Sequence, residues 1–170
     1  MTHTQPDFSS IFHQTFAALN GPVRYCIRQD GNLLHDLAFL SSLTHDARIL
    51  SRDVLPEKGA ITIALNRDCW ERGYTKHERS LELHVADSAL HLTGVQKVRW
   101  RYTNQVTGQP WLDYLWIDRR FRRKSQFEFY LIGEHWRCTI TLAGDDWTIR
   151  LIDAEMPYLW SFRNEKSPDE

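Results

Sequence analysis

The sequence lacks several features of specialised protein classes. It has only three cysteines, Cys26, Cys69 and Cys138, and none of them belongs to a CxxC pair. An odd number of widely spaced cysteines argues against a disulfide framework and favours a reducing cytoplasm. No apolar run approaches the ~20 residues that cross a bilayer, and the N-terminal segment has neither the basic start nor the apolar stretch of a signal peptide. We therefore expect a cytoplasmic protein without a membrane partner.

A strong excess of charge is also absent. The 21 Lys and Arg residues against 22 Asp and Glu residues leave a formal net charge of −1. The whole molecule therefore has no general attraction for nucleic acid or anionic membranes. The 170 residues are 42% hydrophobic and 25% charged, as in an ordinary globular domain. We expect one domain over residues 1–164 and a flexible acidic tail over residues 165–170.

The best helix candidate lies within residues 32–50. Leucines recur there at intervals of three and four residues, the period of one apolar helix face. Asn32 could cap the first turn through its side-chain oxygen. The helix should end near His45, because the preceding serines and threonine are mediocre helix formers. A strand is expected over residues 47–53, and a further short helix over residues 8–19.

Most of the remaining chain alternates apolar and polar residues, as strands with one buried face do. Residues 61–65 and 98–102 are two such strands. Residues 81–95 predict a hairpin that turns at Asp87 and Ser88. This register would set His84 opposite His91.

The C-terminal part predicts a three-stranded antiparallel meander. A two-residue turn at Gly133 and Glu134 places Phe129 opposite Cys138, and a further turn places Leu142 against the next strand. All the apolar side chains would then share one face. The predicted fold class is α+β, with a predominantly antiparallel sheet of about seven to nine strands packed against one or two N-terminal helices.

Histidine is followed directly by aspartate at two places, residues 35–36 and 45–46. These are the residue types of the His-Asp metal phosphohydrolases. Those proteins are all-helical, whereas most of this chain is predicted to form strands. The alternative is structural. His45 and Asp46 would tie the helix to the following strand, with Arg48 as a charge partner.

The histidines of the predicted hairpin offer a second possible metal site. Facing residues on neighbouring strands have Cβ atoms about 5 Å apart. His84 and His91 could therefore both reach one Zn²⁺ ion, although two histidines on the polar face of a sheet also occur without metal. A metal-dependent hydrolase that uses this pair is one alternative function.

The densest charge cluster surrounds Phe121. Its members are Arg119, Arg120, Arg122, Arg123 and Lys124. Arginine beside aromatic residues suits phosphates and stacked bases, so a nucleic-acid accessory protein is another alternative. The net charge does not favour that role, and the same loop could contact an acidic protein or form salt bridges.

The sequence contains no recognisable set of catalytic residues. The sequence has no Gly-rich phosphate loop, nucleophile elbow or HExxH motif. Cys69 is the one thiol that could be tested for reactivity. The neighbouring Asp68 and Glu71 carboxylates should raise its pKa and weaken it as a nucleophile. We therefore predict no catalytic residue and no cofactor, and regard Trp70 and Trp111 as exposed aromatics for a partner.

The segment over residues 43–100 is similar to a loose class of small bacterial α+β proteins. The similarity is carried by His45-Asp46-Ala47, by the strands ITIAL and LELHV, and by the Leu-Thr-Gly-Val run at residues 92–95. This class is largely uncharacterised and overlaps with immunity-protein-like domains of toxin systems. The resemblance implies a binding domain that inhibits a partner protein.

The primary hypothesis is thus a non-enzymatic cytoplasmic protein that binds another macromolecule, first of all a protein. The residues expected to bind are Arg119, Arg120, Arg122, Arg123, Lys124, His45, Asp46 and Trp70.

Overall fold

The computed structural model describes most of the chain. It covers residues 21–28, 32–51, 54, 56–77, 80–103, 110–118, 126–143 and 146–163. Three predictions lie outside the described residues: the helix over residues 8–19, the basic loop over residues 119–124 and the tail over residues 165–170.

One α-helix and twelve strands form in the described part of the chain. The helix, α1, spans Leu33–Thr44. The strands are β1 (Arg24–Arg28), β2 (Ala47–Ile49), β3 (Ala60–Asp68), β4 (Tyr74–Lys76), β5 (Ser80–Thr93), β6 (Val95–Tyr102), β7 (Trp111–Leu112), β8 (Tyr114–Asp118), β9 (Gln126–Gly133), β10 (Trp136–Ala143), β11 (Thr148–Asp153) and β12 (Tyr158–Arg163). A 3₁₀ turn, Trp70–Arg72, joins β3 to β4. The predicted α+β class is confirmed.

The strands make two antiparallel sheets. The larger, eight-stranded sheet has the order β1-β11-β5-β3-β2-β7, and β4 and β12 pair with the first half of β5. The smaller sheet has the order β6-β10-β9-β8. At Gly94, β5 passes directly into β6, so one run of chain belongs to both sheets. Gly94 has a φ of +69°, and a side chain there would place its Cβ 2.8 Å from the Cβ of Trp147.

The core lies between the two sheets and α1. Leu40 of α1 and Phe129 and Leu131 of β9 are all fully buried in one hydrophobic cluster. The hydroxyl of Ser41 accepts a hydrogen bond from the backbone N–H of Leu115 at 3.0 Å, which joins α1 to β8. The predicted packing of the helix on the apolar sheet face is confirmed.

The helix begins and ends close to the predicted positions, but its first turn is not capped as expected. Asn32 occupies the N-cap position without a side-chain cap hydrogen bond. Its backbone carbonyl accepts the N–H of Asp36 at 2.9 Å. At the other end, the hydroxyl of Thr44 donates to the carbonyl of Leu40 at 3.0 Å.

The predicted hairpin at Asp87 and Ser88 is wrong, because both residues lie inside the continuous strand β5. Oδ1 of Asp87 accepts a hydrogen bond from the amide of Asn66 at 2.7 Å, and Oγ of Ser88 donates to Oδ1 of Asp153 at 2.7 Å. These contacts with neighbouring strands use the polar groups that would otherwise favour a local turn.

The register predicted for the meander is also wrong, by two residues. Cys138 lies opposite Leu131 rather than Phe129, and Gly133 pairs with Trp136 instead of forming part of the turn. A shift of two residues leaves every side chain on its predicted face, because strand side chains alternate with a period of two. The buried face was therefore correct although the pairs were not.

The role of Gly133 explains this shift. The indole N–H of Trp136 donates to the carbonyl of Trp111 at 2.9 Å, directly over the glycine. A Cβ on Gly133 would lie 2.1 Å from Nε1 of Trp136 and 2.2 Å from the carbonyl oxygen of Trp111. Position 133 therefore requires glycine because a side chain would collide with the ring of Trp136, and not because the turn needs it.

The third strand of the predicted meander belongs to the other sheet. β10 is flanked by β6 and β9, so neither of its edges is open to β11. β11 pairs instead with β1 and β5 in the larger sheet. The consecutive antiparallel meander is β8-β9-β10, one strand earlier than predicted.

Candidate functional site

The two halves of β5 bury opposite faces of the larger sheet. Leu90 and Leu92 point into the main core, whereas Leu83 and Val85 point to the other side, because successive strand residues alternate. Leu83 and Val85 are each only 1% exposed, yet they do not belong to the main hydrophobic cluster. The larger sheet therefore has a second apolar surface on its outer side.

Aromatic residues border this second surface. Leu83 lies between Tyr74 of β4 and Trp160 of β12, and Val85 lies beside Tyr158 of β12. Directly opposed residues on neighbouring strands share a face. The three aromatic side chains are exposed, while the two aliphatic side chains beneath them are not. We call these five residues the aromatic face.

A network of polar side chains lies on the same outer side of the sheet, on β2, β3 and β5. Arg48 donates to Oδ1 of Asn66, whose amide donates in turn to Oδ1 of Asp87 at 2.7 Å. The guanidinium carbon of Arg48 is 5.4 Å from the ring centre of Trp111 and 6.0 Å from that of Phe162. Such cation–π contacts are attractive, so Arg48 is held between two rings.

Asp68 is a buried carboxylate of this region with one unsatisfied oxygen. It is 5% exposed, and its Oδ1 atom is buried without a hydrogen-bond partner among the described residues. Burial raises the pKa of Asp68 to about 6; the charge of Arg48 lowers it and that of Asp46 raises it. Nε of Arg48 and the indole N–H of Trp70 are likewise buried without an acceptor in the described part of the chain. We call Arg48, Asp46, Asp68, Asp87 and Trp70 the polar end of the aromatic face.

His45 and Asp46, both predicted to bind a partner, form the two-residue turn between α1 and β2. Nδ1 of His45 lies 2.9 Å from Oδ2 of Asp46, and the N–H of Asp46 donates to the carbonyl of Leu112 at 2.9 Å. The pair therefore connects the end of α1 to the start of β2. Arg48, the expected charge partner of the pair, has Asn66 as its hydrogen-bond acceptor instead.

The structure does not bring His84 and His91 together. Both lie on β5, and their odd separation directs the two side chains to opposite faces of the sheet. His91 has its Nδ1 atom 2.8 Å from the hydroxyl of Thr62. The facing geometry predicted for zinc is therefore wrong. Nowhere in the described part of the chain do three or more His, Cys, Asp or Glu side chains form a group that could hold a metal ion.

Cys69 is buried, and this burial raises the pKa of its thiol to about 12. The expected rise of this pKa is present, with burial rather than the adjacent carboxylates as its largest cause. Trp70 follows directly and makes an edge-to-face contact with Tyr74 at 5.8 Å between ring centres. This contact connects Trp70 to the aromatic face. Trp111 is exposed, as predicted, whereas the prediction that Trp70 is exposed is wrong, because Trp70 is half-buried.

Sequence reasoning missed three strong members of the site, Arg48, Asp68 and Trp160. The alternation of Tyr158, Trp160 and Phe162 indicates a strand with one aromatic side. Nothing local distinguishes Asp68 from a solvated carboxylate, since its burial depends on neighbouring strands. The predicted binding residues Arg119, Arg120, Arg122, Arg123 and Lys124 lie outside the described residues, so their role stays a prediction.

The outer face of the smaller sheet has a different character. Lys97, Arg99 and Arg101 follow one another at alternate positions of β6, and Arg137 of β10 pairs with Arg101. Glu128 of β9 shares this face and lies 3.5 Å from Arg99. We call the four cations the basic face. The guanidinium of Arg137 also lies 5.6 Å from the ring centre of Tyr130.

The fold and the site define an α+β protein with two antiparallel sheets and an exposed aromatic face. Residues 32–156 match the family described as "Protein of unknown function (DUF2948)". The match covers most of the chain, which therefore belongs to this family. It runs from α1 through β11 and includes Arg48 and Asp68, but it ends before Trp160 on β12.

The family match agrees with the expected likeness to uncharacterised proteins. It does not support the expected likeness to immunity proteins. No curated protein and no solved structure matches the chain. In the part of the chain that the structure describes, no helix is long and apolar enough to cross a membrane.

Proposed function

We propose that the protein is a non-enzymatic interaction protein that binds a partner protein through the aromatic face. The observation that carries this proposal is the exposure of Tyr74, Tyr158 and Trp160 around the buried Leu83 and Val85. Tyrosine and tryptophan around a desolvated apolar centre are the groups that dominate binding energy at protein interfaces. Large exposed apolar patches are uncommon on monomers without such a role.

The partner would contribute apolar side chains that cover Trp160 and its neighbours. The proposed setting is the cytoplasm, since no disulfide joins any two of the three cysteines. The likeness to immunity proteins adds a finer proposal, namely that the partner is a toxin whose activity is blocked by the complex.

The test is site-specific photo-cross-linking in cells with a benzophenone amino acid at position 160. Trp116 on the smaller sheet is the matched control position, because it is also an exposed tryptophan on a strand. We expect a discrete adduct from position 160 and none of the same mass from position 116. An adduct with a second copy of this chain, or no discrete adduct, would contradict the proposal.

The partner identified in this way is then purified and titrated. Trp160→Ala should weaken its binding by about tenfold or more, as hot-spot tryptophans do, while Trp116→Ala should change it by less than about twofold. Equal effects of the two variants would place the interface elsewhere. A confirmed partner without toxic activity removes the immunity proposal and leaves the binding proposal standing.

A second candidate function is nucleic-acid binding through the basic face. Its four cations occupy one face of a four-stranded antiparallel sheet beside Tyr130, an arrangement that suits phosphates and stacked bases. Anisotropy of a labelled single-stranded oligonucleotide tests it. Binding should fall steeply with salt and be lost in Arg101→Glu with Arg137→Glu. A parallel variant with Arg120→Glu and Arg123→Glu measures the contribution of the basic loop.

A further inference from the structure

Asp68 and Asp153 are both buried aspartates of the larger sheet, but they differ in their contacts. Asp153 accepts hydrogen bonds from Arg67, from the hydroxyl of Ser88 and from the backbone N–H of Val23. Asp68 lies next to Arg67 in the chain and points to the other face, where its Oδ1 atom has no donor among the described residues. An unpaired buried polar group costs free energy. The fold thus uses both oxygens of Asp153, whereas Oδ1 of Asp68 is left without a donor in the described part of the chain.

The polar end of the aromatic face carries more carboxylates than cations, although Arg48 affects the pKa of Asp68 more than Asp46 does. Asp46 and Arg48 lie close enough to Asp68 to change its pKa in opposite directions. Asp87 is linked to Arg48 through Asn66. The polar end of the aromatic face thus has three carboxylates against one guanidinium. That guanidinium is already engaged by Asn66 and two aromatic rings, and Oδ1 of Asp68 has no donor among the described residues.

The aromatic side chains on the same side of the sheet as Asp68 suit the same class of ligand. A guanidinium or ammonium group is attracted to the faces of tryptophan and tyrosine rings. A hydrogen bond from such a cation to a carboxylate is roughly twice as strong as a neutral one. The indole N–H of Trp70 is buried without an acceptor in the described residues, and a small movement of the ring would let a backbone carbonyl of the bound segment satisfy it.

We infer that the polar end of the aromatic face is a subsite for a cationic side chain, arginine or lysine, of the bound partner segment, with Asp68 as its acceptor and Trp70 beside it. This inference rests on the proposed function and specifies the chemistry of the partner. The bound segment would then carry a basic residue next to the apolar residues that cover Trp160.

The test uses small probes in place of the unidentified partner. N-acetyl-arginine methylamide, the corresponding lysine amide and the neutral citrulline amide are titrated into ¹⁵N-labelled protein. The indole N–H signal of Trp70 is followed. Both cationic amides should shift this signal with Kd values at least about tenfold below that of the citrulline amide. The stronger of the two identifies the preferred cation.

Asp68→Asn should raise the Kd for the cationic amides by about tenfold or more. Asp146→Asn, which removes an exposed carboxylate away from this face, is the matched control and should leave Kd unchanged within about twofold. Asp68→Asn keeps the size of the side chain, and its amide spectrum shows directly whether the variant is folded.

An equal response to the citrulline amide, no response of Trp70 to either cation, or full binding by Asp68→Asn overturns the inference. Cross-linking at position 160 does not depend on Asp68. A partner that is captured there and binds Asp68→Asn as tightly as the wild type therefore refutes the cation subsite alone. Loss of the cross-link refutes the proposed function instead.

Discussion

Arg67 and Asp153 form a two-point ion pair inside the protein. Nε and Nη2 of Arg67 donate to Oδ1 and Oδ2 of Asp153 at 2.9 and 2.8 Å, and both side chains are fully buried. Nη1 of Arg67 also donates to Glu71 at 2.7 Å. The pair connects β3 to β11, and the contact with Glu71 adds the 3₁₀ turn.

Asp153→Asn should therefore destabilise the fold by about 3–5 kcal/mol, the usual cost of leaving one charge of a buried pair alone. The control Asp146→Asn should change the free energy of unfolding by less than about 0.5 kcal/mol, as exposed substitutions do. Urea denaturation at neutral pH measures both. Similar midpoints for the two variants would contradict the assigned role of the pair.

The pH dependence of this pair has a defined sign. Burial alone would raise the pKa of Asp153, but the bonds from Arg67, Ser88 and Val23 outweigh burial and hold the pKa below its ordinary value. The folded state then releases the proton more readily than the unfolded state. The stabilisation is complete above the ordinary aspartate pKa and is lost as the pH falls through the lowered value.

Gly133→Ala should destabilise the protein by about 3 kcal/mol or more, the upper range for overpacking. The added Cβ would meet the indole of Trp136 at 2.1 Å and the carbonyl of Trp111 at 2.2 Å, so the hydrogen bond between them is lost. Gly21→Ala is the control, because no atom of the described residues lies within 4 Å of a Cβ at that position. Thermal denaturation of both variants measures this loss of stability. Equal melting temperatures would mean that the ring moves without cost.

Asp68→Asn should stabilise the protein above about pH 6 and have little effect near pH 4. The folded-state pKa of Asp68 is raised from 3.8 to about 6, so the folded protein holds the proton more tightly. Wild-type stability therefore falls as the pH rises from about 4 to about 6. The loss is on the order of 3 kcal/mol, since each pKa unit corresponds to about 1.4 kcal/mol.

Urea denaturation of wild type and Asp68→Asn at several pH values measures this difference. A difference that does not change with pH would show that Asp68 does not titrate in this range. Stabilisation at neutral pH would also agree with the proposed cation subsite, because binding residues are commonly kept at the expense of stability.

One thiol of the native protein should react with Ellman's reagent, and three should react after denaturation. Cys26 is exposed, whereas Cys69 and Cys138 are fully buried. The pKa of about 12 that burial gives Cys69 leaves almost no reactive thiolate at neutral pH. Cys26→Ser should abolish the reaction of the native protein. Rapid modification of a second thiol would indicate local opening, after β3 if it is Cys69 and in β10 if it is Cys138.

The alternation of apolar residues predicted which side chains are buried, but not which strands are neighbours. Phe129 and Leu131 are buried as predicted, and the shift at Gly133 left each face intact. Strand side chains alternate between the two faces with a period of two. Registers that differ by two residues therefore bury the same side chains and fit the sequence equally well. Only the fit of Trp136 over Gly133, a contact between side chain and backbone, decides between them.

The error in β5 has a related cause. Leu83 and Val85 lie at odd-numbered positions, and Leu90 and Leu92 lie at even-numbered positions. If only one face of a strand is assumed to be buried, this change indicates two strands separated by a turn. In the structure a single strand is covered on opposite sides at its two ends. A sequence pattern does not contain that information, because the covering residues come from distant strands.

The candidate site was predicted only in part for the same reason. Trp70 and Trp111 were recognisable as aromatic residues for a partner, and Asp46 as a polar residue at a junction. Asp68 and Arg48 acquire their character from contacts made after β2, β3 and β12 come together. No short motif encodes such an arrangement.

The position of β5 also has a consequence for synthesis of the chain. β3 pairs with one edge of β5, while the other edge is closed only by β11 and β12, which come near the end of the described chain. Contacts between residues so far apart in sequence make folding slow. A ribosome-bound chain that has emerged only as far as β6 has no partner for that edge, and open edges of this kind recruit strands from other molecules. Nascent copies on one messenger RNA are therefore exposed to mispairing until the last strands leave the ribosome.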